Sequence, residues 1–367
     1  MILRFRFHLS YFLVSIFLIA CTNSKNERNP NVVLISVDTL RVDHLGCYGY
    51  IRDDISPNID ALASTGVRFS TVYAPQPITG PSHASLLTGL YPEDHGCIGN
   101  GYLPKQNIKW MAEYFSEYGY TTGGVVSSWI LLGKLGFSKG YDYYDETFLC
   151  REVIADKTIL ASTEYNTKKA ADTTDSAISI IDSISKQPFF LFVHYMDPHS
   201  TYNPPLPFRN RYIDPNYHGP FTGEMNCWTD LINQKPSSSD IQNMIDLYDG
   251  EIAYTDFHIG RLMNHLKKKG IYENTMIIFT ADHGESFEHG YYFSHGDCVY
   301  ESTIRVPLII TYPKKFPKGI ECAECIENMD ILPSLLTYLS IAFPDHLRSN
   351  VFDIRGSASG LSRLFAI

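Results

Sequence analysis

The sequence predicts an α/β fold, a mostly parallel central sheet sandwiched by helices, on three observations. Nearly continuous apolar runs occur at residues 31–38 (NVVLISVD), 189–195 (FFLFVHY) and 276–279 (MIIF). Such runs suit strands covered on both faces, as parallel sheets require. Residues 107–118, 170–185 and 240–269 place apolar side chains about 3.6 residues apart, the stripe of a helix that covers a sheet. Each apolar run also empties into chemically able side chains: Asp38 after the first, Asp197 and His199 after the second, Asp282 and His283 after the third. Parallel sheets bind ligands beyond the carboxyl ends of their strands, so these residues are expected at one edge.

The chain has 367 residues, 44% hydrophobic and 19% charged, which is ordinary globular material for one large domain or one and a half. A formal net charge of −10 and a pI near 5.7 argue against a nucleic-acid surface, which depends on clustered Lys and Arg. Charge says nothing more about the substrate.

At the start, Arg4 and Arg6 precede an apolar stretch over residues 9–20 that stops at Cys21. This has the form of a secretion signal, and its apolar core is shorter than the ~20 residues of a membrane span. Leu18-Ile19-Ala20-Cys21 resembles the lipobox of bacterial lipoproteins, in which the cysteine is lipidated and becomes the new N-terminus. A plain cleaved signal or a short anchor is the alternative. Residues 1–20 are therefore assigned as signal peptide and 21–30 as a polar tether. Seven further cysteines (47, 97, 150, 227, 298, 322, 325) are scattered and odd in number, so no pairing follows. The lone Cys322-Ala-Glu-Cys325 lacks the second pair of a zinc ribbon; a local bridge and two thiols both remain open.

Asp38 ends the first strand and points to the same edge as Asp282, although a turn cap is an equal reading of it alone. Ser56-Pro57 opens a short helix with Pro in the first turn, closing at Gly66, and residues 67–74 form a short strand. In residues 76–92 (QPITGPSHASLLTGLYP), Thr79 stands just ahead of a helix started by Pro81 that turns Leu86 and Leu87 inward. A helix N-terminus directs free amides and a positive dipole end at whatever precedes it. A hydroxyl held there beside a metal can attack an ester, whereas by itself Thr79 reads as a helix cap.

With VDTLRVDHLGCYGY, SPNIDALASTGVRFSTVYA, the Thr79 segment, and ADHGE followed by YESTIRVPLII, the chain resembles the sulfatase branch of the alkaline phosphatase superfamily over roughly residues 31–339. In that family a Cys or Ser, converted to formylglycine, opens the pattern C-x-P-S-R-x-x-x-L-T-G. Here the frame reads Thr79-Gly80-Pro81-Ser82-His83-Ala84-Ser85-Leu86-Leu87-Thr88-Gly89. Threonine cannot become formylglycine, and His83 stands where an arginine normally supports the aldehyde. Thr79 instead resembles the nucleophilic threonine of the family's phosphodiesterase and phosphotransferase members. The second acid of the family's metal pair is Thr39 here, and the usual Asn beside the distal Asp is His283. An imidazole in the set suits zinc or manganese better than calcium, which prefers oxygen alone.

The resemblance implies a metal site of Asp38, Thr79, Asp282 and His283, with Asp197 as a further ligand candidate, holding one or two divalent ions. Zn or Mn is favoured and Ca is possible. His199 matches a histidine that contacts the ester anion, and His295 stands where sulfatases usually carry a substrate lysine. His83, His199 and His295 are thus candidates to bind the anion or a second metal, with Thr79 as nucleophile.

The rest of the chain is read as support. Lys267-Lys268-Lys269 offsets the negative end of its helix rather than forming a binding patch. Tyr143-Tyr144 and residues 202–220 are expected as loops at the cleft rim. Residues 305–310 form another buried strand and residues 329–336 a late helix. The catalytic domain is placed at residues 31–345, and residues 346–367 form a truncated or divergent tail, so the family's smaller C-terminal subdomain is reduced or absent. These features imply a metal-dependent hydrolase of sulfate or phosphate esters, an exported lipoprotein of the bacterial cell envelope held to the membrane through lipid on Cys21. An envelope phosphoethanolamine- or phosphoglycerol-type transferase would need a second organic site; a non-catalytic binding lipoprotein would have lost ligands that Asp38, Asp282 and His283 retain.

Overall fold

The computed structural model describes residues 29–52, 54–148, 167–223, 235–345, 347 and 351–356, and the backbone of 153–156 and 159–162. Cys21 and the residues expected as signal peptide and tether, up to residue 28, lie outside the described residues. Among those described, no helix is long and apolar enough to cross a membrane.

In chain order the strands are β1 (Asn31–Val37), β2 (Val67–Tyr73), β3 (Thr121–Val125), β4 (Tyr143–Asp145), β5 (Val153–Asp156), β6 (Ile159–Ser162), β7 (Phe189–Tyr195), β8 (Thr275–Ala281), β9 (Ser286–Glu288), β10 (Tyr291–Ser294), β11 (Leu308–Thr311) and β12 (Ile320–Glu327). Eight of them form one sheet in the order β12-β2-β11-β8-β1-β7-β3-β4, while β5–β6 and β9–β10 are separate hairpins. Only β11 runs against its neighbours, pairing antiparallel with both β8 and β2. The expected mostly parallel sheet is thus present. Every residue of β1, β7 and β8 is buried, which is why these three strands read as apolar runs.

The register of β1 positions the site. Val37 lies opposite Ala281 of β8 on one side and Tyr195 of β7 on the other, so Asp38 and Asp282 each follow a paired residue at the carboxyl edge.

The helices are α1 (Pro57–Ser64), α2 (Thr79–Thr88), α3 (Pro92–His95), α4 (Met111–Glu117), α5 (Ala170–Ile184), α6 (Arg209–Tyr212), α7 (Ser238–Lys268), α8 (Glu301–Ile304) and α9 (Ile331–Tyr338). Helix α7 starts earlier than expected because the Ser237 hydroxyl accepts from the Asp240 amide while the Asp240 carboxylate accepts from the Ser237 amide. Helix α4 starts later than residue 107, where the Glu113 carboxylate takes the Trp110 amide. Helix α2 ends at Gly89, whose left-handed φ of 68° favours glycine.

Two expectations need correction. Tyr143 and Tyr144 belong to edge strand β4, paired with β3, rather than to a loop. The strand expected over 305–310 begins at Leu308 and is antiparallel. Of the two states left open for the CxxC, the structure has thiols: Cys322, on β12, forms no bridge. Strands β3 and β12 escaped the sequence reading, β3 because it contains Gly123 and Gly124. A Cβ on Gly123 would lie 2.7 Å from the Ile180 side chain of α5, and one on Gly124 2.6 Å from the Tyr144 ring. Beyond α9, Phe352 is buried against Phe69, ring centroids 5.1 Å apart, and its amide bonds the Ser334 hydroxyl. That part of the expected tail packs on the core.

Candidate metal and catalytic site

Asp38 and Asp282 are fully buried, and together with His283 they can offer three ligand atoms all within 4.8 Å of one another. Asp38 Oδ2 accepts from His194 Nε2 at 3.2 Å, and Asp282 Oδ1 accepts from the amides of Thr39 (3.2 Å) and His283 (2.8 Å). The other two oxygens, Asp38 Oδ1 and Asp282 Oδ2, have no hydrogen-bond partner among the described residues. Burial opposes charge on Asp38, but the His194 hydrogen bond and the nearby His199 and His283 hold its carboxyl below the ordinary range. Burial and the Asp38 charge push Asp282 well above it. Two buried carboxylates this close oppose each other's charge, and a cation between them would favour ionisation of both.

His283 presents its lone pair to the same place. Its Nδ1 donates to the Gly284 carbonyl at 2.9 Å, which fixes Nε2 as the unprotonated nitrogen. Nε2 lies 3.3 Å from Asp282 Oδ2, 3.9 Å from Asp38 Oδ1 and 3.3 Å from Thr79 Oγ1. Two orphaned carboxylate oxygens beside a bare imidazole nitrogen are a donor set that fits a divalent cation.

Thr79 is the first residue of α2 rather than the residue before it, and the helix starts two positions ahead of Pro81. It is fully buried. The free amides expected there are largely spent: Gly80 donates to Asn100 Oδ1 at 2.8 Å, Ser82 donates to the Ile78 carbonyl, and Pro81 has none. The helix therefore contributes its dipole more than its N–H groups. Ser82 ties this turn to the metal strand by donating to the Asp282 carbonyl at 2.6 Å.

His83 has both ring nitrogens engaged, Nδ1 with the Thr79 carbonyl at 2.9 Å and Nε2 with the Ser36 hydroxyl at 3.0 Å. It lies under the Thr79 turn as a brace, with Nδ1 also 3.4 Å from Asp282 Oδ2. Burial, then the neighbouring His194, pushes its pKa down to about 3. Binding of the ester anion, one role expected of it, has no free nitrogen to use.

His199 and His295 do come together with the cluster. The His295 ring centroid is 4.4 Å from that of His283 and 5.1 Å from that of His199. His199 Nδ1 donates to the Ser200 carbonyl, and His295 Nδ1 bonds Glu285 Oε1 at 3.1 Å. Burial would lower the pKa of His295, but the Glu285 carboxylate outweighs it and raises the ring above its ordinary value.

Asp197 does not join them. Lys169 Nζ bonds its Oδ1 at 2.9 Å and the Ala170 amide its Oδ2 at 2.7 Å, so one oxygen is held in an ion pair and the other by the first amide of α5. His289 also stands apart, exposed in the β9–β10 turn against Tyr300. The sequence reading missed His194, Ser36, Glu285, Tyr202 and Tyr248. His194 and Ser36 are polar residues inside otherwise apolar strands, which was the available signal. Tyr248 of α7 donates to the Thr39 carbonyl at 2.7 Å and accepts the Arg41 amide, holding Thr39 at a φ of 54°. That conformation is rare for a β-branched residue and is found where a site demands it.

His283, like His83, has its pKa pushed down to about 3 by burial first and by His295 second. An unfolded imidazole takes a proton near 6.5 while these folded rings do not, so their contribution to stability is lost as pH falls from 6.5 towards 3. Nitrogen-15 NMR of histidine-labelled, metal-free protein should show both rings neutral from pH 8 to pH 5, with the His283 proton on Nδ1. Titration of either ring near 6.5 would refute this packing.

A sequence profile described as Sulfatase matches residues 30–341. The chain is 28% identical over 355 residues to the uncharacterized sulfatase YidJ of Escherichia coli K12, covering 87% of this chain and 70% of that one. It is 25% identical over 417 residues to an N-acetylglucosamine-6-O-sulfatase of Bacteroides thetaiotaomicron, covering 92% and 73%. Its fold matches a phosphonate monoester hydrolase of Silicibacter pomeroyi with a TM-score of 0.70, at 23% identity over 91% of this chain and 78% of that one. With the profile running from β1 past the end of α9, this chain belongs to the sulfatase family of ester hydrolases.

Proposed function

We propose that this protein is a metal-dependent esterase of the bacterial cell envelope in which Thr79 is the nucleophile and phosphoryl esters are preferred over sulfuryl esters. The observation that carries the reading is the Thr79 hydroxyl, buried at the head of α2 and 3.3 Å from His283 Nε2, beside the orphaned oxygens of Asp38 and Asp282. Asp38, Asp282 and His283 would hold one divalent cation, with Thr79 Oγ1 within its reach. A cation bound there supplies charge that favours the Thr79 alkoxide and screens the ester oxygens.

In the reaction, Thr79 Oγ1 gives up its proton and forms a bond to phosphorus or sulfur as the bond to the leaving alcohol oxygen breaks, and the alcohol departs with a proton in exchange. Water then attacks the Thr79 ester, one of its protons restores the hydroxyl, and the anion leaves as inorganic sulfate or phosphate, or as a monoester when the substrate is a diester. His199 and His295 stand at the same group of rings as contacts for the ester anion. The preference for phosphoryl esters rests on Thr79, which cannot become formylglycine and must attack directly. A phosphate ester carries at least as much negative charge as a sulfate ester, which suits a pocket of imidazoles and metal.

Thr79→Ala should lower turnover at least about a thousandfold with the circular dichroism spectrum unchanged, because it removes a covalent step rather than a packing contact. The panel is an aryl sulfate, a phosphate monoester and a phosphate diester. Near-normal turnover would exclude Thr79 as nucleophile, and cleavage of the sulfate alone would reverse the substrate preference. Asp282→Asn should weaken binding of Zn2+ or Mn2+ in calorimetric titration by more than about a hundredfold, and unaltered stoichiometry at limiting metal would remove the ligand assignment. For the envelope reading, intact mass spectrometry of the membrane fraction should find a chain beginning at lipidated Cys21; a chain that still begins at Met1 would remove the anchor.

A further inference from the structure

Glu285 lies three residues beyond Asp282, is fully buried, and has both carboxylate oxygens committed. Oε1 bonds His295 Nδ1 at 3.1 Å, and Oε2 accepts from the Tyr202 hydroxyl at 2.9 Å. Tyr202 is itself fully buried and belongs to the segment that carries His199. One carboxylate therefore ties together the turn after β8, the loop of His199 and the loop of His295. Among the described residues, its ion-pair partner is the His295 ring; the nearby Arg41 guanidinium bonds the Glu285 backbone carbonyl instead.

A buried carboxylate without Lys or Arg is costly, and an apolar residue would fill the same space more cheaply. What the acid adds is orientation. An imidazole held at Nδ1 cannot flip about χ2, so its Nε2 edge keeps one direction, as in carboxylate–histidine pairs that orient a ring for ligand or substrate. The ring so held stands between His283 and His199, with centroids 4.4 and 5.1 Å away.

We propose that Glu285 is a positioning residue that holds His295 as an imidazolium oriented through Nδ1, so that its Nε2–H donates to the oxyanion of the ester. The inference rests on the reading of this pocket as the ester site. It identifies Glu285 and Tyr202 as the support of an anion contact, not as groups that touch substrate.

The test is a double-mutant cycle on binding of inorganic phosphate, followed by calorimetry on the full purified chain with Glu285→Ala, His295→Ala and the double variant. Each single change should weaken phosphate about tenfold, and the double variant should be no weaker than His295→Ala, since Glu285 acts only through that ring. Glu285→Gln, whose amide oxygen still accepts from Nδ1, should restore part of the loss. It also serves in the cycle if Glu285→Ala does not fold. An equal loss in both backgrounds would make Glu285 a general structural residue, and unchanged affinity, or no phosphate binding by the wild-type chain, would overturn the proposal. Full turnover by Thr79→Ala would remove the nucleophile and leave phosphate binding as it was, so the two ideas fail separately.

Discussion

Two carboxylates side by side in a dry interior set the terms for the rest of this structure. Asp38 and Asp282 end adjacent parallel strands in matched register, so the backbone itself brings their charges together. Each uses one oxygen for protein hydrogen bonds and leaves the other without any among the described residues. Unpaired buried acceptors are expensive, and two of them aimed at one imidazole nitrogen form a place for positive charge. The surroundings keep the arrangement rigid: His194 holds Asp38 from β7, and the amides of Thr39 and His283 hold Asp282. Tyr248 braces the left-handed turn at Thr39 from the long helix α7.

Around that pair the chain separates rigid parts from rim parts. The donor atoms come from strand ends and from the first turn of a buried helix, elements with little freedom to move. His83 sits beneath the Thr79 turn and links it to Ser36 of β1, so that α2 and the central strand hold Thr79 jointly. His199 and His295 instead ride on the loops beyond β7 and β10, where the hydrogen bonds of Glu285 and Tyr202 supply the order that a strand would otherwise give.

The departures of this sequence from the family pattern form one set. By the resemblance, Thr79, His83, His283 and His295 stand at the positions where sulfatases carry the formylglycine precursor, its arginine, a metal-site Asn and a substrate lysine. The proposed hydroxyl nucleophile and an imidazole in the candidate metal group are mutually consistent, since neither needs formylglycine. His83 fits the change as well. With no aldehyde to support, a neutral buried ring that braces the turn can stand where a cation did.

The strands, their order of chemistry and most of the donor set were legible in the residues, because a strand buried on both faces announces itself locally and its last residue is fixed by chain continuity. Asp38, Asp282 and His283 could thus be assigned to one edge from sequence. What the edge residues touch could not, since that depends on partners far away in the chain. Asp197 ends its strand as Asp38 does, yet Lys169 and the first amide of α5 take both its oxygens. His194 lies 156 residues from the Asp38 it supports, inside a strand whose apolar neighbours hide it. The antiparallel course of β11 and the packing of Glu285 between two loops are likewise long-range facts. Local sequence determined which side chains reach the carboxyl edge; only tertiary packing decided which of them keep an atom free for a metal or an ester, because burial and hydrogen bonding are settled by neighbours that the local chain does not contain.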